Sequence, residues 1–99
     1  MPAAWLVVRA TVASAADRAG FDAWYGAEHL PDAMKAFGVA TAWRGWSQEN
    51  PDIHCAHYRF DSAEQLTAVA NGPAIQALIA EFDRWWPNVT RTRETFVEG

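Results

Sequence analysis

The chain is poor in the features that mark several large functional classes. It has one cysteine, Cys55, among 99 residues, so no disulfide can form within it. It has no paired cysteines and no His-x-x-Glu-His pattern, and His54 and His57 fall on opposite faces of a strand. No metal-binding spacing results. A Gly-rich phosphate loop is also missing. The basic residues are scattered, net charge is −4, and the one partly basic run, Arg91-Thr92-Arg93, is followed directly by Glu94. Nucleic acid needs a clustered positive surface, so the expectation is no nucleic-acid partner. No apolar run approaches the length of a membrane span, so no membrane partner is expected either. The apolar residues before Arg9 are too few for a secretory h-region, and no basic n-region precedes them. Together these absences read as a soluble cytoplasmic protein.

Aromatic and aliphatic residues are plentiful. The composition is 51% hydrophobic with six Trp. The length suggests a single domain over residues 1–99, with a thin core. So much apolar surface is hard to hide in one small core. Large aromatics must line a pocket or sit at a subunit interface.

Trp5 to Val12 is apolar at nearly every position and rich in β-branched residues, which reads as a strand buried on both faces. Ser14 is a plausible N-cap for a helix from Ala15 to His29, with Phe21, Trp24, Tyr25 and, further on, Leu30 at helical spacing. Pro31 disfavours helical geometry at Leu30, so the helix is expected to end or kink there. Asp32 to Phe37 supplies one or two more turns, and Gly38 is a good C-cap. Val39 to Gln48 reads as the second strand, with Trp43 and Trp46 on opposite faces. Glu49 to Asp52 is a turn, and Ile53 to Phe60 is a third strand in a hairpin with the second. Ser62 and Gln65 form a capping-box pattern, Asn71-Gly72-Pro73 breaks the helix that follows, and Pro73 opens the next. Pro87 stops that helix, and Val89 to Val97 is the last strand.

The order is β-α-β-β-α-β. It implies an α+β, ferredoxin-like domain: a four-stranded antiparallel sheet with helices on one face. The other face would be wet in a monomer and should look polar. The strands instead carry apolar or aromatic residues on both faces. A homodimer packed sheet on sheet, with two-fold symmetry, answers this most economically.

This arrangement, with an aromatic-rich helix ending in Glu28-His29-Leu30-Pro31, resembles the dimeric α/β-barrel superfamily, and within it the small EthD-like proteins. Their helix-end pattern is an aromatic, then a histidine followed closely by proline, then a glycine that opens the second strand. The matching positions are Trp24 or Tyr25, His29, Pro31 and Gly38. The architecture covers the whole chain, and the motif about fifteen residues. The superfamily includes muconolactone isomerases, quinone-forming monooxygenases, polyketide cyclases, haem-dependent enzymes and stress-response proteins. The resemblance implies a cavity between helices and sheet in each protomer, and it leaves the reaction open.

His29 is the first candidate for chemistry. Its charge can change near neutral pH, which suits a general acid or base. The plain alternative is a histidine capping a helix C-terminus. Trp24 and Tyr25 lie one turn before Glu28 and His29 and can form an aromatic wall for a planar ligand, with the Tyr25 hydroxyl as a donor. For Trp24, core packing is the better reading. Glu28 points about 100° away from His29 on a helix, so it need not be its partner. On the third strand Cys55, His57 and Arg59 share one face, and His54 and Tyr58 share the other. The sequence does not say which face looks into the cavity. Trp43, His57 and Arg59 join Trp24, Tyr25 and Glu28 as candidate ligand contacts. Arg9 and Arg44, on strands, need carboxylate partners such as Glu94 or Asp22. Cys55 reads as inert.

Three functions follow. One is a cofactor-independent isomerase, cyclase or monooxygenase acting on a small apolar or aromatic molecule. The second is a ligand-binding or stress-response dimer without catalysis. The third is a haem-binding protein with His29 as ligand, for which the sequence has no dedicated signature.

Overall fold

The elements arise where side-chain pattern and backbone chemistry agree. The computed structural model describes residues 2–99. They form β1 (Ala4–Thr11), α1 (Ala15–Trp24), a π-helical turn (Tyr25–His29), α2 (Leu30–Phe37), β2 (Ala42–Trp46), β3 (Ile53–Phe60), α3 (Ala63–Ala70), α4 (Pro73–Trp85) and β4 (Thr90–Val97). The sheet order is β2-β3-β1-β4 and every pairing is antiparallel. This is the α+β, ferredoxin-like arrangement that the sequence implies.

Strand alternation divides the sheet into two faces. Leu6, Ala10, Ala56, Tyr58 and Phe60 look toward the helices and pack with Phe21, Phe37, Leu66, Ile75 and Phe82. Phe21 is fully buried and touches six rings, from His54 at 5.1 Å to Trp46 at 6.3 Å between centroids. The open face carries Trp5, Val7 and Arg9 of β1, and Cys55, His57 and Arg59 of β3. Trp43 is His57's partner on β2, and Phe96 is Trp5's partner on β4. Trp43 and Trp46 do point to opposite faces: Trp43 stacks on His57, and Trp46 packs against Phe21.

Two local expectations need correction. The second strand is five residues long, shorter than Val39 to Gln48. Gly38 closes α2 in a left-handed conformation, φ 68°, and the amide of Val39 is spent on the carbonyl of Met34. The helix also runs through Pro31. His29 and Leu30 keep right-handed helical angles, and Leu30 N–H bonds the carbonyl of Tyr25, five residues back. An extra residue in one turn replaces the expected end or kink, and Pro31 falls in the first turn of α2, where no amide is needed. Ser14 holds the N-cap position but makes no side-chain cap bond.

The other cap behaves as the sequence implies. Ser62 Oγ accepts from the amide of Gln65 at 3.2 Å. The Gln65 side chain reaches back one residue further, to the amide of Asp61.

Candidate active site

The π turn decides which side chains enter the interior. Tyr25 and His29 open and close it, and both are buried, at 2% and 8% exposure. Their rings meet at 4.8 Å. Both line a cavity of about 490 Å³. Its walls are Ala33 and Phe37 of α2, Ile75, Leu78, Ile79 and Phe82 of α4, and Leu6, Val8 and Tyr58 from the sheet. Its mouth lies along Thr90 to Arg93 at the β4 edge. A cavity of this size, mostly apolar with a few polar groups, suits a small organic molecule.

His29 is held among aromatic rings on the cavity wall. Trp24 stacks on it at 4.8 Å with 24° between planes, and the edge of Phe82 meets it at 5.7 Å. Its Nδ1 is sealed from solvent and has no hydrogen-bond partner among the described residues. Burial pushes its pKa down to about 4, against the opposing pull of the Asp32 carboxylate, and the Arg91 charge adds to the depression. The ring is therefore neutral at pH 7. Arg91 at the mouth is anchored by Asp83, with a second contact at 3.4 Å, and its guanidinium lies 4.7 Å from the Phe82 ring.

Tyr25 and Tyr58 meet at the sheet side of the cavity, their hydroxyl oxygens 2.8 Å apart. Behind Tyr25 sits His54, 1% exposed, with Nε2 3.5 Å from Asp22. Asp22 also holds Arg44 at 3.1 Å, and Arg9 lies 3.9 Å from Glu94, so both strand arginines have partners within the chain. The Arg44 guanidinium rests on Gly26, where any β-carbon would collide with it.

Of the residues singled out in the sequence, the structure brings His29 and Tyr25 to the cavity. Trp24 is half-buried and braces His29 from behind; it does not line the space. Glu28 is exposed. Trp43, His57 and Arg59 lie on the open face, with the sheet between them and the cavity, so they cannot enclose a ligand together with His29. His57 is stacked on Trp43 at 4.0 Å and 12°, and Arg59 approaches Asp61 at 3.5 Å. Sequence reasoning left Tyr58 as one of two alternative strand faces without choosing it, and left out Phe82 and Arg91 as site residues. The signal for Tyr58 was its shared face with Ala56 and Phe60, which lack the charge of the Cys55-His57-Arg59 face. Among the described residues no three of His, Cys, Asp and Glu come together as a metal-holding group, and no helix is long and apolar enough to cross a membrane.

No family model matches the chain, and neither does any curated protein. Solved structures do. SnoaB, a cofactor-independent oxygenase from Streptomyces nogalater, aligns with a TM-score of 0.67 at 11% identity, over 100% of this chain and 95% of that one. An EthD family protein from Bacillus halodurans aligns with a TM-score of 0.64 at 15% identity, over 95% and 97%. The de novo designed protein Foldit4 aligns with a TM-score of 0.65 at 10% identity, over 98% and 99%. A designed chain matches about as well as an oxygenase, so the likeness is one of fold and carries no activity with it. In fold, this chain is ferredoxin-like, with the same arrangement of antiparallel sheet and helices as these solved structures.

Proposed function

We propose that the cavity binds a small, flat, mostly apolar molecule bearing a carbonyl or phenol oxygen, and that His29 takes a proton from it without a cofactor. The carrying observation is a buried imidazole, its pKa pushed down by burial, on the wall of a largely apolar cavity. A base must be unprotonated to work, and burial keeps His29 so at neutral pH. The same burial makes it a weak base in isolation. Proton transfer from a neutral ligand creates an imidazolium and an enolate or phenolate side by side. In a largely apolar cavity that pair attracts more strongly than in bulk water, which offsets the low basicity. Isomerisation, cyclisation and oxygenation of such a molecule all begin with this step, and the SnoaB and EthD folds keep company with the reading.

The functional unit in this proposal is a homodimer. Trp43 and Phe96, 49% and 42% exposed, share the open sheet face with Trp5, Val7 and His57. A second copy of that face would cover them.

The proton step is tested with β-tetralone in deuterium oxide, following deuterium entry beside the carbonyl by NMR. The protein should accelerate exchange, and His29→Ala should lower the acceleration by roughly 10²-fold or more while the circular dichroism spectrum stays unchanged. Equal exchange in the variant removes His29 from the chemistry.

A further inference from the structure

Tyr25 and Tyr58 form a two-hydroxyl pair whose proton count does not close within the protein. Each hydroxyl owns one proton and can also accept. Their mutual bond at 2.8 Å uses one of the two protons, whichever tyrosine donates. The accepting hydroxyl keeps a proton of its own, and among the described residues neither oxygen has another partner. Both residues are only 2% exposed. Both line the cavity. A buried O–H without an acceptor is costly, and the cavity is the space from which an acceptor can come.

We infer that the Tyr25–Tyr58 pair is a hydrogen-bond donor to the ligand, and that it selects molecules whose buried end carries a carbonyl or phenolate oxygen. This inference rests on the ligand reading above and adds what recognises the oxygen. A hydroxyl that already accepts a bond is polarised and donates more strongly, so two tyrosines in series outperform one. Burial raises the pKa of both phenols, Tyr25 to about 12, so the pair stays protonated throughout the neutral range and meets an anionic oxygen as a donor. With His29 on the same cavity wall, the arrangement has two functions in one space: the imidazole takes the proton and the phenols hold the oxygen on which charge develops.

The test compares β-tetralone with tetralin, the same two-ring body without oxygen, by calorimetric titration of the full chain. Replacing both tyrosines (Tyr25→Phe with Tyr58→Phe) should weaken β-tetralone roughly threefold to tenfold while tetralin binds as before or better. The infrared carbonyl stretch of bound β-tetralone should move back toward its unbonded frequency in the same variant. Should the double variant fail to melt cooperatively, each single Phe variant is measured in the same way, and the one that removes the ligand-facing hydroxyl should show the loss. Unchanged β-tetralone affinity and carbonyl frequency overturn the donor role and leave the cavity reading standing. An equal loss for both compounds also overturns it, because the tyrosines would then be shaping the cavity. If wild type binds neither compound, the cavity reading falls and takes this inference with it.

Discussion

At the residue scale the histidines carry the clearest consequence. Burial pushes His29 and His54 each down to about 4 from an ordinary 6.5. Asp32 and Asp22 pull the other way, and Arg91 and Arg44 push with the burial. The unfolded chain thus binds more protons than the folded one between those values. Stability is complete above pH 6.5 and falls as the pH drops toward 4. Between pH 7 and pH 5 each ring should cost about 2 kcal/mol, read from urea unfolding midpoints. Half-buried His57 is shifted in the same direction, by burial and by Arg9. His54→Gln should remove about half of the pH dependence. A stability that is flat across this interval would show that the rings titrate as if in water. The same two histidines also show what could be read from sequence. His29 stood out because it sits between large aromatics and a proline. His54 and His57 were symmetrical in sequence, one on each face of a strand, and only the packing of Phe21 and Trp46 over one face separates them.

The π turn is the device that matters at the element scale. Pro31 was correctly read as a disturbance, but the outcome was a change of helical register. An α-helical register would set the proline ring against the carbonyl of Ala27, four residues back. Widening the preceding turn relieves this, and the helix continues. Such turns are recognised by their backbone bonds, as in Leu30 to Tyr25, and composition alone does not signal them. Pro31→Ala restores an amide and removes the steric reason for the wide turn. The expected result is an unchanged or higher unfolding temperature together with weaker β-tetralone binding, since His29 and Tyr25 would rotate relative to each other. A loss of more than about 1 kcal/mol of stability would show that the proline suits the turn and does not impose it. Strand identity was more legible than strand extent. Val39 to Thr41 have strand-like composition, but the Gly38 closure takes up the first of these amides before pairing begins.

For the whole molecule the question is what covers the open sheet face. The order of elements was readable because turn residues and caps punctuate each boundary. The expectation of a partner came from the apolar and aromatic groups on both faces of the strands. The structure sharpens this into a patch: Trp43 lies flat on His57, Trp5 meets His57 edge-on at 6.5 Å, and Phe96 is Trp5's neighbour on β4. In a monomer these rings meet water. In a two-fold, sheet-on-sheet dimer each patch faces its own copy, and a charge placed there would be repeated across the interface. Trp43→Glu therefore introduces two like charges into one apolar contact, at a cost that hydrophobic burial cannot offset. Native mass spectrometry should show wild type at twice 11.0 kDa and the variant at 11.0 kDa. Because Trp43 is separated from the cavity by the sheet, the variant should retain tetralin binding within a few-fold. A wild type that is monomeric at micromolar concentration would end the dimer proposal, and the aromatic patch would then need a different partner. A variant that dissociates and also loses tetralin binding would show that the second copy holds the cavity in shape, making the dimer part of the site.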